Sequence, residues 1–382
     1  MKHDRMWKRI TCNQPVGWLH NETRKRITCN QPDGWLHNII GNIGFFLMGF
    51  AIFLGIRGIF GVSNEYSEHA EMMIEGYYEE QENTLDAVFI GNSHIYRYWQ
   101  SAFAWEEYGI ASSALSVSAM PGSTMKNVAI EALKTQKPKV LVLDATAFAR
   151  KDNAEKKVYL LLDNMKFSFN YIDMVENYCE SAGVTGMDKL QYYIPIIQFH
   201  SRWKELGKAD FVRTYPSYLN SCYMESFLTS TIKEREHRAT EVRTEIGTNN
   251  EADLRDLLEW CTEQEVKVLF LAVPMLRSEE KLGMINRVED IVKEYGVDFI
   301  DYNEVELYES FDFQVTQDFQ DTNHTNINGS YKFTKVFGKY LKEQYGLMDH
   351  RGETLYASWD EKAREYDELI QEYFIYPREV ID

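Results

Sequence analysis

Two short stretches near opposite ends of the chain carry residues that could together make a nucleophile. In "DAVFIGNSHIYRYW" (86–99) an apolar, β-prone run gives way to Gly91, Asn92, Ser93 and His94, then to an aromatic segment with helix character. In "DTNHTNINGS" (321–330) Asp321 stands three residues before His324. A serine hydroxyl is a poor nucleophile until a base takes its proton, and an imidazole base needs an acceptor to fix its ring and tautomer. Ser93, His324 and Asp321 supply those parts in kind. Each stretch also has an architectural reading. Strand-to-helix turns favour Gly, Asn and Ser, and Asn328 or Ser330 can cap a following helix.

The elements around these stretches decide whether they can meet. The runs 85–91, 113–119, 139–145, 266–273 and 297–303 are rich in Val, Ile and Leu and read as strands. The third and fourth are nearly continuous apolar runs, as expected for strands covered on both faces. Helical patterns at 96–108, 123–136, 251–264 and 278–295, and a last one from Ser330 to Gly346, alternate with them. That alternation predicts an α/β fold of βαβ units around a parallel sheet. In such a sheet ligands gather at the C-terminal ends of strands near the topological switch point, and Ser93 ends the first strand. A helix beginning there offers free backbone N–H groups to an oxyanion. The stretch from about 150 to 250 breaks the rhythm and reads as a helical insertion, a cap on the substrate side. Residues 347–382 read as a peripheral amphipathic helix.

With 44% hydrophobic and 14% aromatic residues, the 382-residue chain can build a large core. Residues 1–37 form a tail with a tandem repeat, "RITCNQPVGWLHN" recurring as "RITCNQPDGWLHN" 17 residues later. Cys12, His20, Cys29 and His37 could in principle hold zinc, but they lack the short Cys-x-x-Cys or His-x3-5-His arms of usual sites. A plain duplication explains the same letters. Residues 1–38 carry seven Lys or Arg against three acids, leaving the rest of the chain at a net −22. So acidic a body repels nucleic acid. The uncharged run 38–56, inside a predicted transmembrane helix over 38–60, rises about 28 Å as a helix, close to a bilayer's hydrocarbon thickness. Its basic flank places the N-terminus in the cytoplasm and the main domain outside the cell membrane, with Arg57 snorkelling to the headgroups. A stalk over 61–84 follows. The acid clusters 78–82 and 361–369 read as solvated faces or stalk. Three cysteines in the outer part, Cys179, Cys222 and Cys261, indicate no disulfide framework. No nucleotide-binding loop or metal-binding motif is present.

A strand-end serine in "GNSH" and an Asp-x-x-His ahead of the last sheet helix resemble the SGNH/GDSL hydrolase superfamily, over roughly 85–346. The resemblance implies a flavodoxin-like three-layer sandwich and makes Ser93 the nucleophile, His324 the base and Asp321 its orienter. It also implies an oxyanion hole from the backbone N–H groups of Ser93 and Gly122, the latter in "SAMPGSTM". The Gly-x-Ser-x-Gly elbow of α/β-hydrolases is absent, since Ile95 follows His94. The third strand ends "VLDATAFARKDN", without the family's Gly-x-Asn-Asp; Asp144, Thr146 and Asn153 are not equivalent to its Asn donor. That departure, the anchor and the "D-x-x-H-x-N-x-x-G" ending are similar to membrane-anchored O-acyltransferases and esterases of the DltD-like and alginate-acetylation-like branch. By that resemblance the chain would act on a surface glycan or teichoic-acid-like polymer beside a multi-span membrane O-acyltransferase, with no cofactor and no metal. Asn92 and His94 are candidate substrate contacts, though the residue after a strand-end serine more often just faces into the first helical turn. His200, Arg202 and Trp203 could line a sugar site, with Arg202 as a surface pair and Trp203 as core the alternative. A non-catalytic glycan-binding or scaffold role on the same fold is the rival reading.

Overall fold

The computed structural model of the chain describes residues 33–61, 65–151, 157–211, 228–229 and 239–371. Side chains of the zinc candidates Cys12, His20, Cys29 and His37 lie outside this description, as does Cys222. Contacts divide the chain into two units, Met1–Ala51 and Ile52–Asp382. Helix α1 (Asp33–Ile59) starts in the first and ends in the second. Its Asn38–Ile59 stretch, 22 residues, is long and apolar enough to cross a membrane. Most of its large apolar side chains between Ile39 and Leu54 are exposed, as a span needs.

In the second unit, β1 (Ala87–Gly91), β2 (Ser112–Ser116), β3 (Val140–Asp144), β4 (Lys267–Ala272) and β5 (Asp298–Asp301) form one parallel sheet. Their order is β2-β1-β3-β4-β5. Ala87 pairs with Ser112 on one side and Val140 on the other, so the order reverses between β1 and β3. Every residue of β1, β2 and β3 is buried. The serines of β2 are tolerated there because two of them find partners: Ser112 takes the Trp99 indole N–H at 3.1 Å, and Ser116 donates to the carbonyls of Gly91 and Asn92.

Helices pack in two groups. One holds α3 (Ser93–Tyr98), α4 (Ser101–Tyr108), α14 (Ile327–Tyr345) and α15 (Ala357–Ile370). The other holds α5 (Met125–Ala132), α7 (Phe169–Ala182), α10 (Thr248–Thr262) and α11 (Glu279–Glu294). Crossovers of one hand, reversing direction at β1, place such groups on opposite faces of the sheet. The short helices α6 (Val158–Leu162), α8 (Leu190–Tyr193) and α9 (Pro195–Phe199) come between β3 and α10 in the chain, and α12 (Val305–Glu309) and α13 (Val315–Asp318) between β5 and α14. The predicted helix 96–108 is two helices. Trp99 leaves the helical path to stack on Phe89 at 4.5 Å, and the Gln100 N–H turns to Thr334 Oγ1 at 3.1 Å.

Three expectations are corrected here. The 61–84 stretch is no free stalk: α2 (Glu65–Glu79) packs on β2 with Ala70, Met73, Ile74 and Tyr77 buried, an i, i+3, i+4, i+7 stripe. Arg57 does not snorkel to headgroups. Its guanidinium donates to the carbonyls of Leu162 and Met165 and lies 4.2 Å from the Tyr171 ring centre, a buried site with acceptors and a π-face. The acid clusters are not wholly solvated either, since Glu80 is buried against Lys362 at 3.0 Å.

Burial lifts the Glu80 carboxyl above the usual range while Lys362 draws it down. Lys362→Met strands that carboxylate, and we expect a loss of about 3 kcal/mol near neutral pH. Without the ammonium the folded-state value rises further, so the loss shrinks as pH falls through it and Glu80 takes a proton. Urea titrations of both chains at neutral and acidic pH read this; a pH-independent loss would mean that packing, not charge, is what Lys362 supplies.

Candidate active site

The turn after β1 leaves no room for a side chain at Gly91. A Cβ there would sit 2.3 Å from the Asp144 Cβ and 2.7 Å from Ile95 Cγ1. Into that space come three restraints. Asp144, ending β3, accepts the Asn92 N–H at 3.1 Å. Ser116, ending β2, donates to the carbonyls of Gly91 and Asn92. Asn92 caps α3 by accepting the His94 N–H at 2.9 Å. Ser93 is therefore the first residue of α3, partly exposed, and its own N–H is left without an acceptor among the described residues.

His324 reaches the same place from the loop before α14. Its Nε2 lies 2.8 Å from Ser93 Oγ. Its Nδ1 lies 2.9 Å from one Asp321 oxygen and 3.0 Å from the other. The carboxylate can only accept, so Nδ1 carries the proton and Nε2 presents its lone pair to the serine hydroxyl. Burial pulls the Asp321 carboxyl up, but hydrogen bonds from the His324 ring and from the Asn323 and His324 N–H groups outweigh it and hold it below the usual range. The loop is held in turn: Thr325 donates to the Arg97 carbonyl on α3, and Asn326 caps α14. Gly329 is required there because a Cβ would meet the Asp318 carbonyl at 2.2 Å.

His94 is buried and does not reach outward as a flexible contact. Its Nδ1 sits 2.5 Å from Asn92 Oδ1 and 2.8 Å from Thr146 Oγ1, and its Nε2 faces Arg277 Nη2 at 3.1 Å. The guanidinium can only donate, so Nε2 accepts and Nδ1 holds the proton. Burial, then the charge of Arg277, pushes its pKa well below the usual value, so His94 is neutral. Its ring stacks on that of His324, centres 5.5 Å apart. Beyond it opens a cavity of about 150 Å³ that Asn92, Thr146, Arg150, Arg277 and Lys281 also line. Thr146 was weighed from the sequence only as a non-equivalent of the family's Asn donor, and the three cations were not singled out. Thr146 follows a strand end beside the switch point, which is a usable signal; Arg277 and Lys281 stand four apart, but Arg150 comes from a distant segment and nothing in the letters joins it to them.

The remaining candidates lie among other contacts. Gly122 opens a single helical turn after β2, and its missing Cβ makes room for the Phe148 ring, which a Cβ there would meet at 2.5 Å. It lines a second cavity, of about 390 Å³, with Lys126, Asn177 and Asp256. Arg202 is neither a surface pair nor free to meet a sugar. It is buried, donating to the carbonyls of Ile59 at 3.0 Å and of Gly61, and pairs with Asp210. His200 is exposed, its ring 3.4 Å from the Ile197 carbonyl. Trp203 is 63% exposed, so it is not core.

Gly91→Ala is expected to cost about 1–3 kcal/mol through overpacking against Asp144 and Ile95. Chemical unfolding of the full chain reads this against Gly207→Ala, where nothing lies within 4 Å of a Cβ. Equal losses at the two positions would mean that the turn yields easily.

No family model matches the chain, and no curated protein sequence matches it. Among solved structures it is similar to a gut microbial diltiazem-metabolizing enzyme, at 13% identity and a TM-score of 0.29, over 70% of this chain and 48% of that one. The chain thus spans about half the length of that enzyme.

Proposed function

We propose that the chain is a membrane-anchored, extracytoplasmic serine O-acyltransferase or esterase of the SGNH kind, acting on a cell-surface polysaccharide or teichoic-acid-like polymer. The observation that carries this reading is the Ser93–His324–Asp321 relay, 2.8 and 2.9 Å in its two links, at the C-terminal edge of a parallel sheet. His324 Nε2 takes the Ser93 proton as Oγ attacks the acyl carbonyl. The carbonyl oxygen gathers negative charge against the Ser93 N–H, with Gly122 as the second donor the resemblance implies. Collapse of the tetrahedral adduct expels the alcohol, which leaves with the proton from His324. A polymer hydroxyl or water then attacks the acyl-enzyme, His324 removing its proton, and Ser93 is regenerated. Hydroxyl makes the chain a transferase, water an esterase. The basic flank of α1 supports a cytoplasmic N-terminus, and a multi-span acyltransferase is the partner that would deliver the acyl group.

A second reading, a non-catalytic glycan-binding or scaffold partner, is favoured by one feature. The end of β3 holds no Asn donor, and both Asp144 oxygens are engaged by the turn.

Incubating the detergent-solubilised full chain with p-nitrophenyl acetate separates the two. The enzyme reading expects one acetyl adduct on Ser93, absent from Ser93→Ala and accumulating in a burst. A folded chain with neither adduct nor hydrolysis would leave the scaffold reading. Asp321→Asn keeps the shape of the relay but favours the wrong His324 tautomer, and is expected to slow acylation by about a thousandfold or more; a loss within tenfold would remove Asp321 from the relay.

A further inference from the structure

The cavity beside the triad gathers positive charge in a body that is strongly negative. Arg150 enters from the segment after β3, Arg277 from the segment after β4, and Lys281 from the first turn of α11. Burial pushes all three below their usual pKa, and repulsion adds to it at two of them: Arg150 feels Arg277, and Lys281 feels both arginines. The carboxylates whose fields reach them are Asp144, Asp321 and Glu280. None lies within ion-pair distance of these cations among the described residues. Asp144 spends its oxygens on Asn92 and Thr146, and Asp321 spends its own on His324 and Asn323. The Arg277 Nε is buried and bonds to nothing among the described residues. Three half-buried cations with no counter-ion at ion-pair distance among the described residues carry an uncompensated cost, which a bound anion removes.

The wall nearest the triad is His94, which stacks on His324 and accepts from Arg277. Asn92 and His94, the two neighbours of Ser93 in the chain, line the cavity. We propose that this cavity is an anion subsite, in which Arg150, Arg277 and Lys281 receive a carboxylate or phosphodiester group of the polymer whose hydroxyl is acylated or deacylated at Ser93. Both groups offer two acceptor oxygens to guanidinium forks. The site would thereby select acidic polymers over neutral glycans and set the distance between the charged group and the reacting hydroxyl. This rests on the acyl-transfer reading for its kinetic arm, and stands without it for its binding arm.

The experiment uses the full chain in detergent micelles. Its binding arm titrates inorganic phosphate calorimetrically into the parent chain and into Arg277→Met, Arg150→Met and Lys281→Gln. The expected result is saturable binding at low salt, weakened about tenfold or more in each variant. Its kinetic arm compares hydrolysis of three acetyl esters: a methyl glycoside of a uronic acid, glycerol phosphodiester, and a neutral methyl glycoside. The parent should favour one anionic ester over the neutral one by about ten- to a hundredfold in kcat/KM. The favoured member identifies carboxylate or phosphate as the source of the charge, and the preference ratio within each variant should fall toward one. Folding of each variant is checked by its unfolding curve; Lys281→Gln, at the start of α11, serves where a buried arginine variant fails to fold. Phosphate binding undiminished in the folded variants overturns the proposal, as does an active parent that hydrolyses all three esters alike. A parent that binds phosphate at the arginines but acylates nothing overturns the enzyme reading and keeps the anion site.

Discussion

Asp144 accepts three hydrogen bonds at the end of β3, from the Asn92 N–H, the Thr146 N–H and the Thr146 hydroxyl. A buried carboxylate so engaged strands either a donor or its own charge if any of them leaves. Burial pushes its pKa up and those donors pull it back, so the group and its partners are locked together. The close approach of Asp144 is also what demands glycine at 91. From the first partner follows the place of Asn92, and hence the start of α3 and the pose of Ser93. From the second follows Thr146, which meets His94, which meets Arg277. Ser93 and the basic wall are thus two ends of one hydrogen-bonded network. The resemblance leads one to expect an oxyanion donor at the end of the third strand; this chain has a brace there.

His94 separates two kinds of electrostatics. On one side His324 presents its Nε2 lone pair to Ser93; on the other are Arg150, Arg277 and Lys281. A protonated His94 would add a fourth cation against Arg277 and stack a charge on the ring of His324. Burial and the guanidinium exclude that form. A neutral ring with Nδ1 protonated satisfies Asn92 and Thr146 on one edge and Arg277 on the other, so the residue lies between base and cations without taking charge itself. The acidic balance of the whole body makes the basic cavity a local departure rather than part of a general field, and its effect is short-ranged.

Strands β1, β3 and β4 were legible as short, largely buried apolar runs, β2 and β5 by their place between helical patterns, and Ser93, Asp321 and His324 because a relay needs those types at strand and helix ends. What was not legible depends on contacts between distant segments. Trp99 breaks a helix because Phe89 and Ser112 wait for it. The β2 strand starts at Ser112, ahead of the apolar centre of its run, because Ser112 and Ser116 find partners outside the strand. The apolar stripe of α2 was present in the letters, at 70, 73, 74 and 77, and was hidden by the acids between them. Arg277 and Lys281 stand four apart, but Arg150 lies more than a hundred residues before them, and only the packing of α11 beside the chain after β3 brings the three together.

Arg57 and Arg202 show how a residue type suited to binding can be consumed by architecture. The carbonyls at the end of a helix have no partners within it. Arg202 supplies donors to those of Ile59 and Gly61, at and just past the end of α1, while Arg57 in the last turn of α1 supplies donors to Leu162 and Met165 at and after α6. The two guanidiniums work in opposite directions across the same seam, each charge set against Asp210 or an aromatic face. The helix end and the start of the insertion are in this way folded as one piece. Loss of Arg202 would therefore act on activity through the packing of 157–211, and a sugar site there would have to be built from side chains other than the one that holds the seam closed.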